Sequence, residues 1–107
     1  LFVFTRDEVL TFTMRDCPFP IDLVYIDAAG RIVGLASMEP EAPRDAHEQP
    51  DTPGGDSAYD ARLRAYISPA PARFALEVAG GTLAALGVRE GDRVEFDRAA
   101  MLALARD

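Results

Sequence analysis

Three residues have the types and the spacing to hold or transform a ligand: Asp22, Arg73 and Glu77. Asp22 lies in the run Ile21 to Ile26, which is otherwise apolar on both faces. A carboxylate alone among aliphatic side chains is strongly unfavourable, so it demands a partner or must be neutral. Arg73 is the natural partner, because a guanidinium grips a carboxylate in two-pronged fashion. Alternation puts Arg73 on the strand face opposite Phe74, Leu76 and Val78, and puts Glu77 on the same face as Arg73, with small Ala75 between them. Four residues of strand span roughly 13 Å, so Arg73 and Glu77 do not touch, and the gap over Ala75 would floor a ligand. The plain reading is a structural Asp22–Arg73 ion pair that closes the sheet. The functional readings are a pocket holding an anionic or polar small molecule on Arg73, or acid–base chemistry on Asp22 or Glu77 with Arg73.

Cys17 and His47 are the sole cysteine and the sole histidine, which raises a nucleophile–base pairing. His47 sits in a stretch expected to be mobile, a poor place from which to orient a base, and Cys17 reads as an inert, partly buried thiol. Asp16, Cys17, Asp22 and His47 match no paired-ligand zinc spacing, and Asp51, Asp56 and Asp60 lack the alternation of a calcium loop. No metal and no cofactor is expected. Gly80-Gly81-Thr82 before a short helix has neither a phosphate-binding glycine fingerprint nor a P-loop lysine, and reads as strand termination.

The elements that must position these residues are mostly strands. Leu1 to Phe4 and Val9 to Met14, joined by a polar turn at Arg6-Asp7-Glu8, read as a first hairpin. Asp16-Cys17-Pro18-Phe19-Pro20 is a rigid extended loop, because two prolines forbid a central strand. Ile21 to Ile26 and Ile32 to Met38 form a second hairpin around Gly30, which supplies a positive φ. From 40 to 64 an acidic insertion, punctuated by Pro40, Pro43, Pro50, Pro53, Gly54 and Gly55, offers little apolar surface to bury; it is expected to be flexible, with a disordered centre. A strand at Arg73 to Val78 follows, then a one-turn helix at Leu83 to Leu86 capped by Thr82 and ended by Gly87. A last strand over Arg93 to Phe96 and a terminal helix over Ala99 to Ala105, capped by Asp97, complete the chain.

The 107 residues amount to one domain's worth of chain, 49% hydrophobic and 27% charged, enough to bury a core without metal or disulfide. With a single cysteine no internal disulfide can form. The net charge is −7 and the sequence has no lysine, which excludes the phosphate neutralisation that nucleic-acid binding needs. No apolar run approaches a membrane span. A strand-like run at residue 1 leads one to expect a preceding segment, a signal peptide or a further strand, so localisation stays open.

Several segments, in order, resemble a known family, the domain of unknown function numbered 192. Leu1-Phe2-Val3-Phe4 resembles its first recognisable strand. Phe12-Thr13-Met14-Arg15-Asp16-Cys17 stands where the family has Phe-Trp-Met-Lys-Asn-Thr. Pro20-Ile21-Asp22-Leu23-Val24-Tyr25-Ile26-Asp27 is similar to its Pro-Leu-Asp strand, and Gly30-Arg31-Ile32-Val33 follows at the family's spacing. Ser68, the block Pro71 to Glu77, then Gly81, Leu86-Gly87-Val88 and Gly91-Asp92 complete the likeness, which covers residues 1 to about 96 apart from the insertion. Thr13, Asp16 and Cys17 depart from the family's tryptophan, asparagine and threonine, beside the polar cluster. The resemblance implies a compact barrel-like β fold and no particular activity.

The expected fold is mainly β (α+β): a small, barrel-like, largely antiparallel sheet with one short helix and a C-terminal helix. The expected function is a non-catalytic module that binds a small molecule or a protein through a cleft formed by Thr13, Asp16, Asp22, Arg73 and Glu77. The alternative is a small hydrolase-like enzyme using Asp22 or Glu77 with Arg73. Oligomeric state is open.

Overall fold

The computed structural model describes residues 1–95. Six strands and two helices follow one another as β1 (Phe2–Glu8), β2 (Thr11–Phe12), β3 (Ile21–Ile26), β4 (Ile32–Met38), α1 (Gly55–Arg62), β5 (Tyr66–Ile67), β6 (Ala72–Ala79) and α2 (Thr82–Leu86). Four of the strands form one antiparallel sheet in the order β1-β6-β3-β4, and β2 and β5 form a separate two-stranded sheet. The class is mainly β, as expected, but the four-stranded sheet is open and no closed barrel forms among the described residues.

The position of β3 explains its composition. It pairs with β4 and β6 along its two edges, and a hydrophobic cluster packs on each of its faces, so Leu23, Val24, Tyr25 and Ile26 are all buried. One face carries Leu23, Tyr25, Met38 and Ala75, packed against Leu10, Met14, Phe12 and Tyr66 from the small sheet and its flanks. The other carries Val24, Ile26, Ile32 and Phe74, packed against Leu83, Val88 and Val94. The Tyr25 hydroxyl donates to the Tyr66 carbonyl at 2.7 Å, tying the two sheets together. Burial pushes the Tyr25 phenol up to about 12, so it stays a donor at any physiological pH.

The β3–β4 hairpin forms as the sequence indicates. Gly30 has φ 86°, and the Asp27 carboxylate accepts the backbone N–H groups of Ala29 and Arg31, both at 2.9 Å. The first hairpin does not form. β1 continues through the expected turn to Glu8 and pairs with β6, while β2 pairs with β5. Local alternation identified two strands but could not select their partners. Ser68 decides one of them: its hydroxyl accepts the Leu10 N–H, and its own N–H donates to the Leu10 carbonyl, each at 2.8 Å.

The acidic insertion contains α1 and a dense set of ion pairs. Its order comes from arginine–carboxylate contacts and one buried aromatic ring, a source that counting aliphatic residues overlooks. Phe96, at the end of the expected last strand, and the terminal helix with its Asp97 cap lie outside the described residues; Arg93 makes an isolated antiparallel bridge to Arg31.

Gly34 on β4 marks a close approach. A Cβ there would lie 2.5 Å from Pro69 Cδ and 3.1 Å from the Tyr25 ring. Gly34→Ala should therefore destabilise the protein by about 1–3 kcal/mol, the usual range for overpacking. Urea unfolding checks this, and a variant as stable as wild type would show that Pro69 moves aside freely.

Candidate functional site

The expected cluster is not assembled. In the β3–β6 register Asp22 pairs with Val78 and Ile26 with Phe74. Side chains alternate between faces, so Asp22 shares a face with Val78 and Phe74, and Arg73 projects from the opposite face near the other end of the strand. The Asp22–Arg73 pair is thus ruled out by parity. Arg73 Nε instead donates to Asp7 Oδ1 at 3.0 Å, across the neighbouring pair of strands β1 and β6.

Asp22 is buried, as expected, but its partner is a backbone group: Oδ2 accepts the Leu83 N–H in the first turn of α2 at 3.0 Å. Gly81, the residue entering α2, has no side chain, and Thr82 does not cap it. A helix N-terminus leaves its first N–H groups unpaired, and Asp22 supplies from a distant strand the acceptor the local sequence lacks. Its role is to dock α2 on the sheet. Glu77 is half-buried and faces Leu23 across the strands. The space over Ala75 is no ligand floor, because Ala75 is fully buried in the core against Tyr25. Thr13 is exposed.

Asp16 does lie at a cavity. The loop 14–18 meets the segment 39–64, and between them is a space of about 290 Å³. Met14, Asp16, Cys17 and Pro18 line it from the loop, and Glu41, Pro43, Arg44 and Tyr59 from the segment. A second hollow that also reaches Cys17 is lined by Phe19, Pro20, Ile21 and Glu77, among others. Of the expected site residues, then, Asp16 and Glu77 flank neighbouring hollows that share Cys17, while Thr13, Asp22 and Arg73 line neither. His47 lines neither hollow, and the Cys17 thiol donates to the Phe19 carbonyl at 3.4 Å.

Tyr59 organises the first cavity. It sits on α1, buried, with the guanidinium carbons of Arg44 and Arg62 at 4.2 and 4.9 Å from its ring centroid and that of Arg15 at 6.0 Å. Its hydroxyl accepts the Asp16 N–H at 2.9 Å. Asp16 has φ 53°, in the left-handed region that aspartate and asparagine tolerate better than most side chains. That turn aims its carboxylate at Arg44, which grips it with Nε at 2.9 Å and Nη2 at 3.1 Å. Arg44 Nη1 also donates to Asp56 Oδ1 and to the Glu48 carbonyl, both at 2.7 Å. Arg15 binds Asp60 and Asp56, and Arg62 holds both oxygens of buried Glu48 at 2.6 and 2.9 Å.

These contacts set the titration of the network. Hydrogen bonding from Arg44 holds the Asp16 carboxyl below its ordinary value. Arg62, then the Asp45 N–H, pull Glu48 from an ordinary 4.5 down to about 2. A carboxylate with a depressed folded-state pKa contributes stability that is fully present above its unfolded value and disappears as pH falls through the folded one. Amide protection across 44–62 should therefore hold from neutral pH to about 4.5 and fall as pH approaches about 2. Hydrogen exchange measured along that series checks it, and loss of protection at neutral pH would contradict it.

Sequence reasoning overlooked Arg44 and Tyr59. The available signal was the one aromatic residue of the insertion, flanked by Asp56, Asp60 and Arg62 at helical spacing. Among the described residues, no three His, Cys, Asp or Glu side chains converge as a metal site.

The family model of DUF192, described as an uncharacterised ACR, matches residues 1–96. The chain belongs to this family. No curated protein matches it. The DUF192 chain is similar in fold to a crystal structure from Sinorhizobium meliloti 1021, of a protein provisionally described as a transcription regulator. The identity is 24% and the TM-score 0.62, over 88% of this chain and 58% of that one. The chain thus spans little more than half the length of that structure. Asp16 takes the left-handed turn and carries the charge that Arg44 binds.

Proposed function

We propose that this DUF192 domain is a non-catalytic binding module, and that the cavity between loop 14–18 and segment 39–64 receives a small molecule or a side chain of a partner protein. The observation that carries this reading is the cavity itself: an apolar floor of Met14, Pro18, Pro43 and Tyr59, edged by Asp16, Glu41 and Arg44, in about 290 Å³. That volume is at the lower limit of ordinary ligand pockets, which favours a small ligand. Asp16 is the expected site residue retained here; Arg44, Tyr59, Glu41 and Cys17 join it.

The hydrolase-like alternative has less support. It needs Asp22 or Glu77 to work with Arg73, and Asp22 is committed to α2 while Arg73 is committed to Asp7. The provisional description of the S. meliloti protein raises a role in transcription. For a chain of net charge −7 without lysine, such a role is better served by protein or small-molecule contacts, since its overall field opposes phosphate binding. Among the described residues, no helix is long and apolar enough to cross a membrane.

Soaking crystals of the protein in a library of small fragments tests the reading. Fragment density is expected over Tyr59, between Cys17 and Pro43. Bound fragments that cluster elsewhere, with this cavity empty across the whole library, would overturn it.

A further inference from the structure

We propose that the ligand of this cavity is an organic cation, an alkyl chain ending in an ammonium or guanidinium group. The inference deepens the binding-module reading and rests on it.

The charges at the rim carry the argument. Arg44 is the one cationic side chain in the lining, facing the two carboxylates Asp16 and Glu41. Its guanidinium already makes four hydrogen bonds, two to Asp16, one to Asp56 and one to the Glu48 carbonyl. A guanidinium has five N–H donors, so at most one remains for a ligand. An anion entering the cavity would meet a cation already spent and two carboxylates.

Asp16 is matched by Arg44, which leaves Glu41 as the charge without a full counterpart. One of its oxygens accepts the Arg64 N–H at 2.9 Å; the other has no hydrogen-bond partner among the described residues. The Arg62 guanidinium feels Glu41 at longer range, but Glu48 holds it two-pronged. Glu41 is half-buried, so a cation beside it is less screened than at an open surface. The apolar floor suits the alkyl body of such a ligand, and the free Glu41 oxygen suits its charged head.

Three probes of one size and different charge make the test: n-butylammonium, n-butanol and butyrate, each titrated into ¹⁵N-labelled protein at low ionic strength. Butylammonium should shift the amides of 14–18 and of Tyr59 saturably, and butyrate should not. Glu41→Gln keeps an acceptor for the Arg64 N–H but removes the charge, and should weaken butylammonium about tenfold. Added salt should weaken it as well. Repeating the titration with a short uncharged peptide bearing one lysine separates two sources of the same chemistry. Tighter binding of the peptide assigns the cavity to a partner's side chain, and tighter binding of the free amine to a small molecule. If butanol or butyrate binds as well as butylammonium, the cation assignment falls while the binding cavity stands. If none of the probes shifts these amides at millimolar concentration, both fall.

Discussion

Tyr59→Ala is expected to release the segment 39–64 while leaving the four-stranded sheet folded. Tyr59 is the one large aromatic side chain that α1 buries, and its ring is where Arg44 and Arg62 rest. Truncating a buried aromatic residue costs about 3–5 kcal/mol through lost burial and the cavity left behind. Here the loss falls on a unit attached to the sheet mainly through loop 14–18, by way of Asp16 and Arg15, so local opening absorbs it in place of global unfolding. Amide protection within α1 should drop about a hundredfold or more, since each tenfold change corresponds to roughly 1.4 kcal/mol, and β3 should keep its protection. Tyr59→Phe separates the contributions: it keeps the ring and loses only the acceptor for the Asp16 N–H, at a cost of about 1 kcal/mol. Unchanged exchange within α1 in Tyr59→Ala would mean that the ion pairs alone hold the segment.

The second large effect is at Asp22. Asp22→Ala removes the acceptor for the Leu83 N–H and leaves that partly buried donor unpaired at a helix start. The lost cap and the unpaired donor are one and the same hydrogen bond, so a loss of about 1–2 kcal/mol is expected. Asp22→Asn keeps an acceptor oxygen and should lose less. Arg73→Ala breaks only a pair whose aspartate, Asp7, is half exposed, and should cost under about 1 kcal/mol. Urea titration of the three variants gives the ranking. Equal losses for Asp22→Ala and Arg73→Ala would count against the anchoring of α2 by Asp22.

These two sites also mark how far the sequence could be followed. A carboxylate in an apolar strand announced correctly that Asp22 is buried and partnered. It could not name the partner, because a backbone N–H leaves no trace in composition and Arg73 looked chemically ideal. The face each residue takes depends on register, and register is fixed by which strands lie side by side.

The same division runs through the chain. Alternation, turn residues and the both-face apolarity of Ile21 to Ile26 were enough to determine the β3–β4 hairpin, β6 and the short α2. These are local properties, carried by periodicity and by the glycines that permit tight turns. Only the tertiary structure decided that β1 runs beside β6, that α2 takes its cap from a residue 61 positions away, and that an acidic, proline-rich stretch is held by arginines on a tyrosine ring. Each of these joins groups distant in sequence, and the energy of such contacts depends on a geometry that no short window of residues contains. The cavity follows for the same reason: its two walls come from segments that meet only once the sheet is built.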